Sequence, residues 1–176
     1  APVVLQPIAP VEAQPHYALS NAQRRLWVLH LMDEGLSAYN MPAAICLRGD
    51  LDKKALEQAF GLLFERHESL RTRFISVDGE GRQVINPPSA GDFHLTTRDC
   101  SGCSAEEIAA LAHTHACRVF DLENDPDGSG LRVELLELGG QEHLLLFNMH
   151  HIISDGWSME ILVRELSRLY EVCAAG

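Results

Sequence analysis

The informative stretch of this sequence is Asn148-Met149-His150-His151-Ile152-Ile153-Ser154-Asp155-Gly156-Trp157-Ser158. Imidazole titrates near neutral pH, so a histidine at a strand end beside a cavity is well placed to handle a proton. The preceding Leu144-Leu145-Leu146-Phe147 is apolar without alternation, the pattern of a central strand covered on both faces. Neighbours along a strand point to opposite faces, which divides His150 and His151 between two roles: one faces a cavity, the other packs or supports the backbone. Asp155 can hold the loop by pairing with an arginine, and Gly156 permits close backbone approach.

Two further groupings contain reactive side chains. Cys100-x-x-Cys103, followed by His113, His115 and Cys117, offers the ligand types zinc prefers. There is only one such cysteine pair, however, and on a helix 113 and 117 share a face that 115 does not. The preferred reading is free thiols, with Cys100 and Cys103 on a surface loop and Cys117 in the core. Ser154 and Ser158 stand near His151 and Asp155, but no Gly-x-Ser-x-Gly elbow accompanies them, which argues against a hydrolase.

The elements that must position these groups follow from periodicity and caps. Residues 1 to 16, with Pro2, Pro7, Pro10 and Pro15, read as a lead-in or linker. Ser20 and Gln23 have capping-box spacing ahead of Leu26, Trp27, Leu29, His30 and Met32, and Gly35 stops that helix. A strand is expected over 41–48, then an amphipathic helix from Asp52 to about His67. Residues 71–77 and 81–85 flank Asp78-Gly79-Glu80 as a hairpin. Ser104 with Glu107 caps a helix that holds Ile108, Leu111, Ala112 and Val119. Asn124 to Gly130 is a loop by composition. A second, buried hairpin spans 131–138 and 142–149 around Gly139-Gly140, and a last helix runs from about Met159 to Cys173. Helices alternate with hairpins, so the fold class expected is α/β (α+β sandwich), a mixed sheet with packed helices.

Composition sets the class. At 176 residues, 46% hydrophobic and 22% charged, the sequence can bury one core. A formal net charge of −11 gains nothing from a phosphate backbone, so no nucleic-acid partner is expected. No apolar run reaches the ~20 residues of a membrane span, so no membrane partner is expected. Ala1-Pro2-Val3-Val4 does not resemble a secretory leader. With five cysteines, an odd number, reduced thiols and a cytoplasmic location are expected.

Three separated segments together resemble the condensation-domain family of nonribosomal peptide synthetases. Ser20-Asn21-Ala22-Gln23-Arg24-Arg25-Leu26-Trp27 resembles the family's S-x-A-Q-x-R-L-W motif. Arg66-His67-Glu68-Ser69-Leu70-Arg71-Thr72-Arg73-Phe74 resembles R-H-E-x-L-R-T-x-F, and His150 to Gly156 resembles H-H-x-x-x-D-G. The resemblance implies that 17–176 form the amino-terminal lobe of a condensation domain, a chloramphenicol acetyltransferase-like lobe whose carboxy-terminal counterpart is absent. It implies amide-bond formation between a donor acyl or peptidyl thioester and the amine of an acceptor aminoacyl thioester, with an L-configured donor and acceptor. His151 would act on that amine, by removing its proton or by positioning it, and the Gly156 N–H would contribute to an oxyanion site. His150 would pack. Asp155 would be buried and salt-bridged to an arginine of the second motif, Arg71 in preference to Arg66. No cofactor would be bound permanently, phosphopantetheine arms arriving on donor and acceptor peptidyl carrier proteins. The other expected partners are the second lobe and an adjacent adenylation domain, and the lobe alone is expected to be inactive. The alternatives are a non-catalytic module that docks carrier proteins and an epimerisation-type relative.

Overall fold

The computed structural model describes residues 11–32, 37–88, 93–124 and 130–176. In chain order the elements are β1 (Tyr17–Ala18), α1 (Asn21–Met32), β2 (Asn40–Arg48), α2 (Lys53–Arg66), a 3-10 turn (Glu68–Arg71), β3 (Thr72–Val77) and β4 (Glu80–Ile85). They are followed by β5 (Thr96–Asp99), α3 (Ala105–Cys117), β6 (Leu131–Gly139), β7 (Glu142–His150) and α4 (Gly156–Ala175). The strands form two sheets, β1-β4-β3 and β2-β7-β6-β5; the second, with β5 parallel to β6 and its other pairs antiparallel, is the expected mixed sheet with helices packed on it. Of the expected lead-in, residues 1–10 lie outside the described residues, and 11–16 have no strand or helix. The Gly35 helix stop and most of the 124–130 loop also fall outside.

Local chemistry sets the ends of most elements. At the start of α1 the Ser20 N–H donates to Gln23 Oε1 (2.9 Å) and the Gln23 N–H donates to Ser20 Oγ (3.2 Å). Ser104 and Glu107 make the same reciprocal pair at α3, and Asp52 caps α2 by accepting from the Lys54 and Ala55 N–H groups. The β3–β4 hairpin turns at Asp78 and Gly79 (φ 53° and 79°), and β6–β7 turns at Gly140 and Gln141 (φ 58° and 68°). Positive φ at both loop residues is the pattern of a type I′ turn, whose twist matches that of the strands it joins; Gly139, ahead of the second turn, is positive as well (φ 88°). α3 ends at Cys117, so Val119 lies beyond the helix that was expected to include it.

β7 is the central strand of the four-stranded sheet, antiparallel to both β2 and β6. Every residue from Leu145 to His150 is buried. The odd positions Leu145, Phe147 and Met149 join Leu131 and Leu135 of β6 in the main core, against Leu56, Phe60 and Leu63 of α2 and Leu162 of α4. The even position Leu146 lies with Leu136 and Cys100 in a second cluster, covered by Ile108, Leu111 and Ala112 of α3. Each large side chain so buried contributes roughly 1.5–3 kcal/mol. Helices on both faces explain why alternation disappears from the β7 sequence.

α2 and α4 pack side by side. At their contact Arg66 Nε and His67 Nε2 meet Glu165 Oε2 at 3.2 and 2.7 Å. The His67 contact, followed by the Arg66 charge, holds the Glu165 carboxyl below its ordinary pKa. The Asp52 N–H donates to Tyr170 Oη (3.1 Å), a second tie between the start of α2 and the end of α4.

Candidate active site

The two histidines separate at the end of β7. His150 is the last strand residue and is 4% exposed, whereas His151 opens the following turn and is exposed. His150 sits edge-on to Phe120, with ring centroids 5.9 Å apart, and 6.4 Å from the Tyr39 ring. Its Nδ1 accepts the Ile152 N–H (3.1 Å), which places the proton of the neutral ring on Nε2. Burial, with smaller contributions from the His30 and His151 charges, pushes its pKa down to about 4. His150 is therefore a neutral side chain at physiological pH and serves as an internal acceptor for the turn that follows it.

That turn is pinned by backbone hydrogen bonds on both sides. The His150 N–H donates to Gly130 O (2.7 Å), the His151 N–H donates to Tyr39 O (2.9 Å), and the Ile153 N–H donates to His150 O (3.2 Å). Gly130 has little room for a side chain, because a Cβ there would stand 3.1 Å from Ile153 and 3.5 Å from the His150 Cβ. Ile152 and Ile153 are buried, and Ser154 Oγ donates to Met41 Sδ (3.5 Å). The backbone of His151 is thus fixed while its ring faces solvent. A positioned imidazole of this kind is the arrangement that acid–base chemistry on an incoming substrate needs.

Asp155 does not take the place expected of it. The structure puts it on the surface as the N-cap of α4, accepting from the Ser158 N–H (2.8 Å) and Ser158 Oγ (2.6 Å). Those two bonds, and to a smaller degree the His151 charge, lower its pKa. The expected buried pair with Arg71 is not formed, and neither is one with Arg66. Arg71 meets Glu68 Oε1 at 3.5 Å and donates to Asn86 O, while Arg66 is held by Glu165. An acid at the first turn of a helix already has its favourable partners in the free N–H groups and the helix dipole. Gly156 begins α4, so its N–H belongs to that helix terminus, and a Cβ there would meet no atom of this chain within 4 Å. Trp157, next to it, is 75% exposed.

Two supporting residues carry roles that the sequence does not assign them. Asn148 is fully buried, and its side-chain amide donates to His115 O (2.9 Å) and Ala116 O (3.1 Å). Asn40, paired with His150 across the sheet, donates to Ala116 O (2.7 Å) and Arg118 O (3.1 Å). Together they hold the carbonyl end of α3 against the strand ends from which the histidines emerge. The only advance signal was polarity in an otherwise apolar strand.

Arg71 lies elsewhere, lining a cleft of about 550 Å³ with His94, His115, Arg118 and Arg132; none of residues 150–158 borders it. The thiols are placed opposite to expectation. Cys100 is buried beneath α3 with Leu136 and Leu146, whereas Cys117 is exposed on the outer face of α3 beside His113 (3.7 Å). Among the described residues no three His, Cys, Asp or Glu side chains converge as metal ligands. Nor, among them, is any helix long and apolar enough to cross a membrane.

The condensation-domain family profile matches residues 13–176. Bacitracin synthase 2 from Bacillus licheniformis is 42% identical over 164 residues, covering 93% of this chain and 6% of its own length. The X-domain solved in complex with OxyB from teicoplanin biosynthesis is 30% identical with a TM-score of 0.85, over 98% of this chain and 36% of that one. The first condensation domain of the CDA synthetase superposes with a TM-score of 0.81 over 93% of this chain and 42% of that one; at 23% identity this shows the chloramphenicol acetyltransferase-like fold alone. The chain therefore spans well under half the length of these relatives. With its three motifs in order, its fold and a profile match from residue 13 onward, the chain belongs to the condensation-domain family of nonribosomal peptide synthetases.

Proposed function

We propose that this chain is the histidine-bearing, amino-terminal lobe of a condensation domain that forms amide bonds between carrier-tethered substrates. The observation that carries this reading is the division of labour at the end of β7: His150 is buried and neutral, while His151 is exposed on a turn pinned to Tyr39 and Gly130. A donor acyl or peptidyl thioester and an acceptor aminoacyl thioester meet at His151. The imidazole takes the ammonium proton, or orients the amine as it attacks the thioester carbonyl. Nitrogen–carbon bond formation expels the donor's phosphopantetheine thiol and leaves the lengthened chain on the acceptor carrier. The phosphopantetheine arms are parts of the substrates, and nothing else is bound permanently.

The Gly156 N–H, at the start of α4, is oriented by the Asp155–Ser158 cap and supplies a donor for the oxyanion of the tetrahedral intermediate. A second lobe outside these residues completes the tunnel. The 17–176 lobe alone would accordingly bind or dock without turnover, and the form of the first motif favours an L-donor and L-acceptor. In the complete synthetase His151→Ala is expected to abolish peptide transfer with adenylation and carrier loading intact. Undiminished transfer would remove His151 from the chemistry.

A second reading has one observation behind it, the likeness to the X-domain solved in complex with OxyB. On that reading the lobe recruits a partner protein, and His151→Ala leaves every step of peptide assembly unchanged.

A further inference from the structure

Cys100 and Cys103 play no part in the proposed chemistry, and their geometry is distinctive. The Cys100 N–H donates to Glu137 O (2.8 Å), which continues the β5–β6 pairing one residue past the strand. The Cys103 N–H then donates back to Cys100 O (3.0 Å), closing a four-residue turn through Ser101 and Gly102. Ser101 is fixed in turn by its N–H to Asp99 Oδ1 (2.9 Å), and Ser104 caps α3 immediately afterwards. A turn closed by this bond brings its end Cα atoms to within about 7 Å. That overlaps the roughly 4.4–6.8 Å span a disulfide requires. Both side chains belong to the cluster beneath α3, and Cys103 stands close enough to Cys100 to add to the rise in its pKa. Cys100 is 2% exposed, while Cys103 is half-buried at the rim. The other thiols are elsewhere: Cys46 on β2, Cys117 at the far end of α3 and Cys173 near the end of α4.

We propose that Cys100 and Cys103 form a redox-active dithiol that closes to an intrachain disulfide by exchange with a low-molecular-weight disulfide of the glutathione class. The Cys103 thiolate, at the rim, attacks one sulfur of the small disulfide. The reagent S–S bond breaks, a mixed disulfide forms on Cys103 and one small thiolate leaves. Cys100 then gives its proton to solvent and attacks the Cys103 sulfur, expelling the second small thiolate. Two electrons and two protons leave the protein dithiol, and the reagent ends as two thiols. Burial raises the Cys100 pKa, with Cys103 adding to the effect, so closure is the slow, alkali-favoured step. This site is independent of the His151 chemistry.

The test uses the whole chain, incubated in a series of oxidised-to-reduced glutathione ratios, quenched with acid, alkylated and mapped by peptide mass spectrometry. The expected result is loss of two hydrogens confined to the peptide containing Cys100 and Cys103, with closure several-fold faster at pH 9 than at pH 7. Cys100→Ala should trap glutathione on Cys103, and Cys103→Ser should leave Cys100 unmodified. Alkylation of both thiols at every ratio would overturn the proposal. So would a mixed disulfide in the native chain that never closes, or crosslinks reaching Cys46, Cys117 or Cys173.

Discussion

Acidification should destabilise this fold through His150 before its surface carboxylates matter. An unfolded histidine titrates near 6.5, whereas burial against Phe120 and Tyr39 holds folded His150 at about 4. The charged groups acting on it, His30 from α1 and His151 from the adjoining turn, push the same way. Between the two values the unfolded chain binds the extra proton. The stability His150 contributes is therefore complete above the unfolded value and is lost as pH falls toward 4. The gap corresponds to about 3 kcal/mol in all, of which about 2 kcal/mol is gone by pH 5.

Urea unfolding followed through buried Trp27 at several pH values would measure this. His150→Asn is the comparator, because an amide oxygen can still accept the Ile152 N–H while the titrating ring is gone. The native chain should lose about 2 kcal/mol more than the variant between pH 8 and pH 5. His115, also lowered by burial, and the carboxyls of Asp99, Asp121, Asp155 and Glu165, all lowered, are common to both proteins and cancel. Parallel stability curves for the two proteins would refute the assignment of His150 as a neutral internal acceptor.

Other perturbations separate further roles. Asp155→Ala should cost about 1 kcal/mol in thermal unfolding through loss of the α4 cap, while Asp155→Asn, which still caps, should cost far less; equal losses would point to charge instead of capping. Gly81→Ala would drive a Cβ to 2.6 Å from the Trp27 ring and 2.7 Å from Leu19, so denaturant unfolding should show a loss of about 1–3 kcal/mol. Asn148→Leu should cost a similar 1–3 kcal/mol and speed amide exchange in the last turn of α3, whose carbonyls it strips of a donor; unchanged exchange there would dissociate Asn148 from α3 docking.

What was legible in the sequence was what short-range chemistry decides. Ser20 with Gln23 and Ser104 with Glu107 marked helix starts, because a capping box is a contact between residues three apart. Asp78-Gly79 and Gly139-Gly140 marked the hairpins, because positive φ restricts the residues allowed. β5 was not legible: Thr96–Asp99 is four residues long and exposed throughout, so it shows no alternation. α4 starts at Gly156, three residues before the expected Met159, because Asp155 is its N-cap. Which acid meets which arginine depends on how helices pack, and Glu165, which no local pattern singles out, is the partner of Arg66 and His67. The thiols were inverted for a related reason. α3 has no fully buried residue, so a cysteine on its outer face stays exposed, while the turn before it tucks Cys100 beneath the helix.

These misplacements sharpen the account of His151. With Asp155 engaged by Ser158, no hydrogen bond or ion pair among the described residues links the HHxxxDG run to the second motif. The turn is instead held by backbone bonds to Tyr39 and Gly130 and by the ring of His150 on the Ile152 N–H. Replacing either histidine therefore disturbs different things. Loss of the His150 ring removes an acceptor from inside the fold and should be read in stability. Loss of the His151 ring removes an exposed side chain whose backbone bond to Tyr39 survives in alanine, and should be read in transfer alone. Two adjacent, identical residues with separable phenotypes are what a buried strand running out into a pinned surface turn must produce.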